Sequence, residues 1–123
     1  MSDQEQFIGQ SYLNLETYRR SGQAMPTPVW FVEDRGMFYV RTIHNAGKVK
    51  RVRNQPQVRM MPCGQRGEPR GAWVEGRADV VDTAEADRVN ALLNHKYGFL
   101  KRVFDLFQRS RGHDVIRVVI TQP

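Results

Sequence analysis

The sequence is poor in the residue groupings that mark most familiar chemistries. Cys63 is its only cysteine, so no intramolecular disulfide can form. The three histidines, His44, His95 and His113, lie far apart and have no cysteine or acid at ligand spacing, so no metal centre is expected. No apolar run approaches the ~20 residues of a membrane span. The first residues, Met1-Ser-Asp-Gln-Glu-Gln, are polar and acidic, unlike a secretory leader. A cytoplasmic location is the expectation from these two facts and from the single thiol. Spaced glycines opening a helix after a strand are absent, and so is a Walker-type phosphate loop. No Ser-His-Asp or Cys-His arrangement is evident, and Cys63 beside Pro62 reads as a plain half-buried thiol. If the chain is an enzyme, a bound organic cofactor carries most of the chemistry.

What is present fits one soluble domain. The chain has 123 residues, 40% of them hydrophobic and 26% charged. Its formal net charge is +6. A basic surface of this kind attracts nucleic acid, membrane phosphates or a phosphorylated small molecule. The cations are clustered: Arg41 to Arg53 holds Lys and Arg without a single acid. A second group comprises Lys96, Lys101, Arg102, Arg109 and Arg111.

The periodicity is mostly that of strands. Residues 11–18 alternate Tyr12, Asn14, Glu16 and Tyr18 with Leu13, Leu15 and Thr17, the pattern of a strand buried on one face. Residues 19–24 carry turn chemistry. Pro26 and Pro28 flank Thr27, so the strand over Val29–Val32 begins at a sheet edge. Glu33-Asp-Arg-Gly36 reads as a four-residue hairpin loop, with Met37–Thr42 as the return strand. Further strands are expected at Val58–Pro62, at Ala72–Asp82 with Gly76 as a bulge, and at Val115–Thr121. Helices are expected at Gly47–Asn54, stopped by Pro56, then from Asp82 or Thr83 to about Tyr97, and at Phe99–Arg109. The fold class expected is mainly β (α+β), with six antiparallel strands closing as a small barrel and a few helices.

The short helix from Gly47 is the strongest local signal. A helix N-terminus presents free N–H groups and the positive end of a dipole, which together suit phosphate. Ala46 and Gly47 are small enough for close approach, and Lys48 adds a full charge. The competing reading is a solvated amphipathic helix with Val49 and Val52 inward and its cations in water. Trp30 and Phe31 are adjacent, so they point to opposite faces: one enters the core and the other lines a groove or an interface. Trp73 has the same two readings. The stripe Leu100, Val103, Phe104 and Phe107 reads as core packing, with a dimer contact as the alternative.

The ordered set Thr27-Pro-Val-Trp-Phe31, Tyr39-Val-Arg-Thr42, Gly47-Lys-Val-Lys-Arg51, Asn-Gln-Pro56 and Val74-Glu-Gly-Arg-Ala78 resembles the pyridoxamine 5′-phosphate oxidase-like superfamily. It looks most like the branch of deazaflavin (coenzyme F-420)-dependent oxidoreductases. The resemblance runs over about residues 11–120 and implies an FMN-binding split β-barrel that works as a homodimer. It also implies an oxidoreductase that binds coenzyme F-420 or FMN at the subunit interface and passes hydride to a small organic substrate. By that resemblance the phosphate sits at Thr42, Ala46, Gly47 and Lys48, with Arg41, Lys50 and Arg51 nearby. The ring lies along Thr27, Val29, Trp30 and Phe31, and Arg70 and Trp73 of the other subunit supply the opposite wall. The oxidase proper carries an Arg and a Lys where this chain has Val29–Glu33, a Ser-Arg pair where it has Ala46-Gly47, and a substrate-binding C-terminal segment. Oxidation of pyridoxamine phosphate is therefore not expected. The alternatives are a flavin or deazaflavin carrier without turnover, and a basic barrel binding nucleic acid through Tyr39 and Arg41.

Overall fold

The computed structural model describes residues 3–98 and 113–121. Seven strands form one antiparallel sheet: β1 (Tyr12–Tyr18), β2 (Ala24–Trp30), β3 (Val32–Asp34), β4 (Met37–Ile43), β5 (Gln57–Cys63), β6 (Val74–Val80) and β7 (His113–Ile120). Their order across the sheet is β2-β1-β5-β6-β7-β4-β3. The two edge strands, β2 and β3, are consecutive in the chain and separated only by Phe31. The sheet therefore curls round until β2 approaches β4, and β2 and β4 form no ladder with each other. This is a barrel with one open seam. The mainly β, antiparallel split-barrel expectation holds, with seven strands in place of six because the strand through Trp30 breaks at Phe31.

Helix α1 (Gly47–Asn54) closes one end, with Val49 and Val52 fully inside, as their spacing predicts. Helix α2 (Thr83–Tyr97) lies across the outer face of β4 and β7, where Val89 and Leu93 pack on Tyr39 and Val115. Its N-cap is Asp82, whose carboxylate accepts the Glu85 N–H at 2.9 Å, and Gly98 ends it at φ 56°. A turn of 3-10 helix at Glu5–Phe7 plugs the barrel with Phe7, which meets Phe31 and Phe38 at centroid distances of 5.9 and 4.8 Å. The expected helix Phe99–Arg109 lies outside the described residues, as do all the second cationic group except Lys96.

Several local expectations are corrected. The β3–β4 hairpin turns on two residues, not four: Arg35 and Gly36 both have positive φ, 55° and 80°, and Glu33 and Asp34 belong to the strand. Strand β2 starts at Ala24 and contains both prolines, which its edge position tolerates. Strand β1 is buried on both faces, because Arg59 and Tyr18 cover Glu16 while the 64–70 loop covers Asn14, whose amide donates to Gly67 C=O at 3.0 Å. Strand β6 spans Val74–Val80 without a bulge; both of its ladders are in unbroken register. Gly76 is there for room: a Cβ would lie 2.7 Å from Val118 Cγ1 and 3.0 Å from Val119 C=O.

Candidate functional site

The seam between β2 and β4 opens into a cavity of about 440 Å³, within the ~300–1,000 Å³ typical of small-molecule sites. Six of the residues singled out in the sequence line it: Thr27, Val29 and Trp30 from β2, Arg41 and Thr42 from β4, and Lys48 from α1. Sequence reasoning missed Tyr12, Pro28, Ile43, Gln65 and Leu93. Pro28 and Ile43 follow from their strands once the seam is known. Gln65 comes from the glycine-rich loop and Leu93 from α2, and no local signal in the sequence ties either to this place.

The floor of the cavity is cationic. Lys48 Nζ donates to Thr42 Oγ1 at 3.2 Å. Burial lowers the Lys48 pKa, and the neighbouring Arg51 charge adds to the effect. Ala46 has no side chain able to cap α1, so the first N–H groups of the helix, at Gly47 and Lys48, are left for a ligand or solvent. The turn before the helix is fixed from outside. Asp114 on β7 accepts the Asn45 N–H at 2.9 Å and pairs with His44 at 3.2 Å, and Asn45 takes φ 55°. Burial alone would raise the Asp114 pKa, but these bonds and the His44 and Arg53 charges leave it lowered.

The wall at Trp30 is held by the end of α2. Trp30 stacks on Tyr97 with centroids 4.5 Å apart and planes 10° off parallel. The Tyr97 hydroxyl accepts the Phe31 N–H at 3.0 Å and shares its own proton between Ser11 C=O and Phe31 C=O, each 2.8 Å away. It stands where the next rung of the β1–β2 ladder would be. Burial raises its pKa. Lys96 Nζ donates to Phe31 C=O at 2.8 Å and lies 3.6 Å from the centre of the Phe31 ring. Burial pushes the Lys96 pKa down to about 8, against an upward pull from Glu33.

The remaining sequence candidates lie elsewhere. Phe31 turns its ring into the core, so the Trp30–Phe31 pair divides with Phe31 inside. Ala46 and Gly47 start α1 beside the cavity, with Ala46 packed on the core. Lys50 faces solvent. Arg51 folds over Gly47 and donates to Thr17 Oγ1 at 2.6 Å, which occupies it structurally. Arg70 is exposed, and Trp73 lies under the Arg59 guanidinium, 4.6 Å from its ring centre; neither lines this chain's own cavity. Tyr39 is 1% exposed, beneath α2 and with Arg88 over its ring, so no aromatic platform stands beside Arg41 there. Among the described residues no group of three or more His, Cys, Asp or Glu side chains is placed to hold a metal. No helix among them is long and apolar enough to cross a membrane.

Comparison with known proteins places this architecture. No curated protein matches the chain. The solved heme storage protein HutZ from Vibrio cholerae superposes with a TM-score of 0.75 at 19% identity, over 97% of this chain and 87% of that one. A FAD-binding protein from Mesorhizobium loti gives 0.68 at 17% identity, over 96% and 84%. An F420 reductase gives 0.65 at 18% identity, over 99% and 96%. At such identities the likeness establishes the shared fold alone. The sequence itself matches a family over residues 3–122, almost its whole length. On that match, and with the split barrel it entails, the chain belongs to the pyridoxamine 5′-phosphate oxidase family.

Proposed function

We propose that the seam cavity binds a phosphorylated flavin-type cofactor, coenzyme F-420 or FMN, and that the loaded protein is an oxidoreductase acting on a small organic substrate. The observation that carries this reading is the join of two features in one cavity. Lys48, buried against Thr42, stands beside the uncapped start of α1, while Trp30 offers a flat apolar wall a strand away. The donor set fits a phosphate: two main-chain N–H groups, an ammonium and a hydroxyl. Structures of the same fold include one named for FAD binding and one named an F420 reductase, which supports a flavin-type ring.

The chain's own residues would do three things. Lys48, Thr42 and the N–H groups of Gly47 and Lys48 would hold the phosphate, and so fix the cofactor's position along the seam. Thr27, Val29 and Trp30 would face the ring and exclude water from one side of it. Arg70 and Trp73 lie away from this chain's cavity, and in a homodimer the same residues of a second copy would complete the other wall. The cofactor, when bound, supplies the hydride chemistry. No side chain in the cavity stands out as a catalytic acid or base, so orientation and electrostatics are the protein's part.

The test is a fluorescence titration of the purified protein with FMN and with coenzyme F-420, each repeated on Lys48→Ala. Saturable binding that Lys48→Ala weakens by about 1.5–3 kcal/mol supports the reading, since that is the scale of a charge-assisted bond. Binding of neither cofactor would overturn it. A bound cofactor that can be reduced but passes hydride to no acceptor would favour a carrier over an enzyme. The buried position of Tyr39 weighs against the nucleic-acid alternative.

A further inference from the structure

The connection between β5 and β6 does not project into solvent. It bends back over the outer face of the sheet, across β1 and as far as β2. Its tip closes as a turn, with the Gly67 N–H on Gly64 C=O at 3.0 Å and the Gly64 N–H on Glu68 C=O at 2.9 Å. Gly67 takes φ 87°, and a Cβ there would lie 3.5 Å from Asn14 Oδ1 and 4.0 Å from Pro28 Cγ, so the tip rests on both strands. The foot of the connection is clamped. The Arg70 N–H donates to Pro62 C=O at 2.9 Å, and the Gln6 amide bonds both main-chain groups of Ala72, at 3.0 and 2.9 Å. The tip is held more lightly. Among the described residues its one hydrogen bond to the rest of the barrel comes from Asn14 Nδ2, which is 6% exposed and donates to Gly67 C=O at 3.0 Å. The tip, Gly64-Gln-Arg-Gly-Glu-Pro69, has no apolar side chain but the proline ring, and Gln65, Arg66 and Glu68 face solvent. A segment with so few apolar contacts opens at low free energy. Yet Gln65 on this tip lines the seam cavity, together with Tyr12 and Pro28 of the two strands it crosses.

We infer that residues 64–69 form a strap over the mouth of the seam cavity, latched by Asn14, which lifts to admit the ligand and closes with Gln65 against it. The identity of the ligand rests on the cofactor reading above; the strap adds how the site is opened and shut. The Gln65 amide is uncharged and both donates and accepts, so on closure it replaces water at the mouth. Asn14 touches no ligand and acts through the strap, as a positioning residue. The protein also carries a reporter of the movement. Val58 and Met60 point into the core, so Met61 and Cys63 point to the outer face, yet they are only 5% and 1% exposed. The strap folds over them, with Pro69 bridged to Cys63. The thiol becomes reachable when the strap lifts.

The test is the rate at which iodoacetamide alkylates Cys63, the only cysteine, in the native protein at constant pH, read by intact mass. Asn14→Ala should speed alkylation by about fivefold or more, the scale of one neutral hydrogen bond. FMN or coenzyme F-420 at ten times its Kd should slow the wild type by about tenfold, because the bound form holds the strap shut. In Gln65→Ala that slowing should largely disappear while the ligand still binds. A saturating ligand that leaves the wild-type rate unchanged would overturn the gating. A urea series on the wild type needs neither variant nor ligand, and so decides the matter even if Asn14→Ala fails to fold. Lifting a strap exposes little surface, so the rate should stay nearly flat below the unfolding transition. A rate that climbs with the full urea dependence of global unfolding would overturn the strap. Failure of both cofactors to bind would overturn the cofactor reading alone, with the strap still decided by Asn14→Ala and the urea series.

Discussion

Single residues decide two pH dependences of opposite sign. Lys48 must be protonated to hold a phosphate, and burial has lowered its pKa. Cofactor affinity is therefore expected to fall as pH rises toward and through that lowered pKa, at a lower pH than an ordinary lysine would titrate; calorimetric Kd values between pH 7 and 10 check this. In Lys48→Ala the dependence should vanish. Lys96 acts on stability instead. Its folded pKa of about 8 lies below the 10.5 of a freely solvated lysine, so between these two values the unfolded chain binds more protons than the folded one. Stability should rise across that interval, and the gain is absent below about pH 8, where both states are charged. Urea unfolding at pH 7.5, 9 and 10 reads it, with Lys96→Met as the variant that flattens the curve. Gly76 makes a steric prediction. Gly76→Ala places a methyl against Val118 and the Val119 carbonyl, and should cost about 1–3 kcal/mol, measured by denaturant midpoint. At this scale the sequence announced Lys48, Thr42 and Trp30 through residue type and neighbours. It did not announce Lys96 and Tyr97, because their roles depend on Phe31, a residue 65 or more positions away.

At the scale of elements, the strands and helices were legible where period and punctuation agreed. Val49 and Val52 placed the inner face of α1, and Asp82 and Gly98 bounded α2. The misreadings share a cause: each turned on a partner strand that local pattern does not name. Strand β1 alternates polar and apolar residues yet is buried on both faces, because Arg59 from β5 and a loop cover its polar side. Gly76 looked like a bulge and is a point of close approach to β7. The prolines of β2 looked like a strand boundary and lie inside the strand, at its free edge. The Tyr97 hydroxyl is one of several ties between helix α2 and the sheet. Tyr97→Phe should leave the Phe31 N–H and the Ser11 carbonyl without their partner, a loss of about 1–3 kcal/mol in unfolding free energy. It should also release Trp30, seen as altered Trp emission in a variant that keeps Trp30 and replaces Trp73 by Phe.

On the scale of the whole molecule, one topological fact organises the rest. A sheet whose two edge strands are consecutive in the chain curls back on itself and leaves a seam between β2 and β4. The seam brings together a strand of small and aromatic residues, a cationic helix start and a threonine. A small antiparallel barrel was readable from strand count and hairpin spacing, and its split form from the family resemblance. The cavity was readable only in part, since Tyr12, Gln65 and Leu93 reach it through folding alone. Because Arg70 and Trp73 stand away from this chain's own cavity, the account expects a second copy to supply them. Light scattering should give a mass twice that of the 14.3 kDa chain, and a monomer at micromolar concentration would remove the second wall. The central claim is narrower: a phosphate is held at the start of α1, by Lys48. It is tested most directly by a ¹H–¹⁵N NMR titration with FMN or coenzyme F-420, whichever binds more tightly. The account predicts that the Gly47 and Lys48 amides shift furthest downfield, as N–H groups do when they donate to phosphate, with Trp30 and Ile43 next. Saturable binding that leaves Gly47 and Lys48 in place and moves residues away from the seam would contradict it.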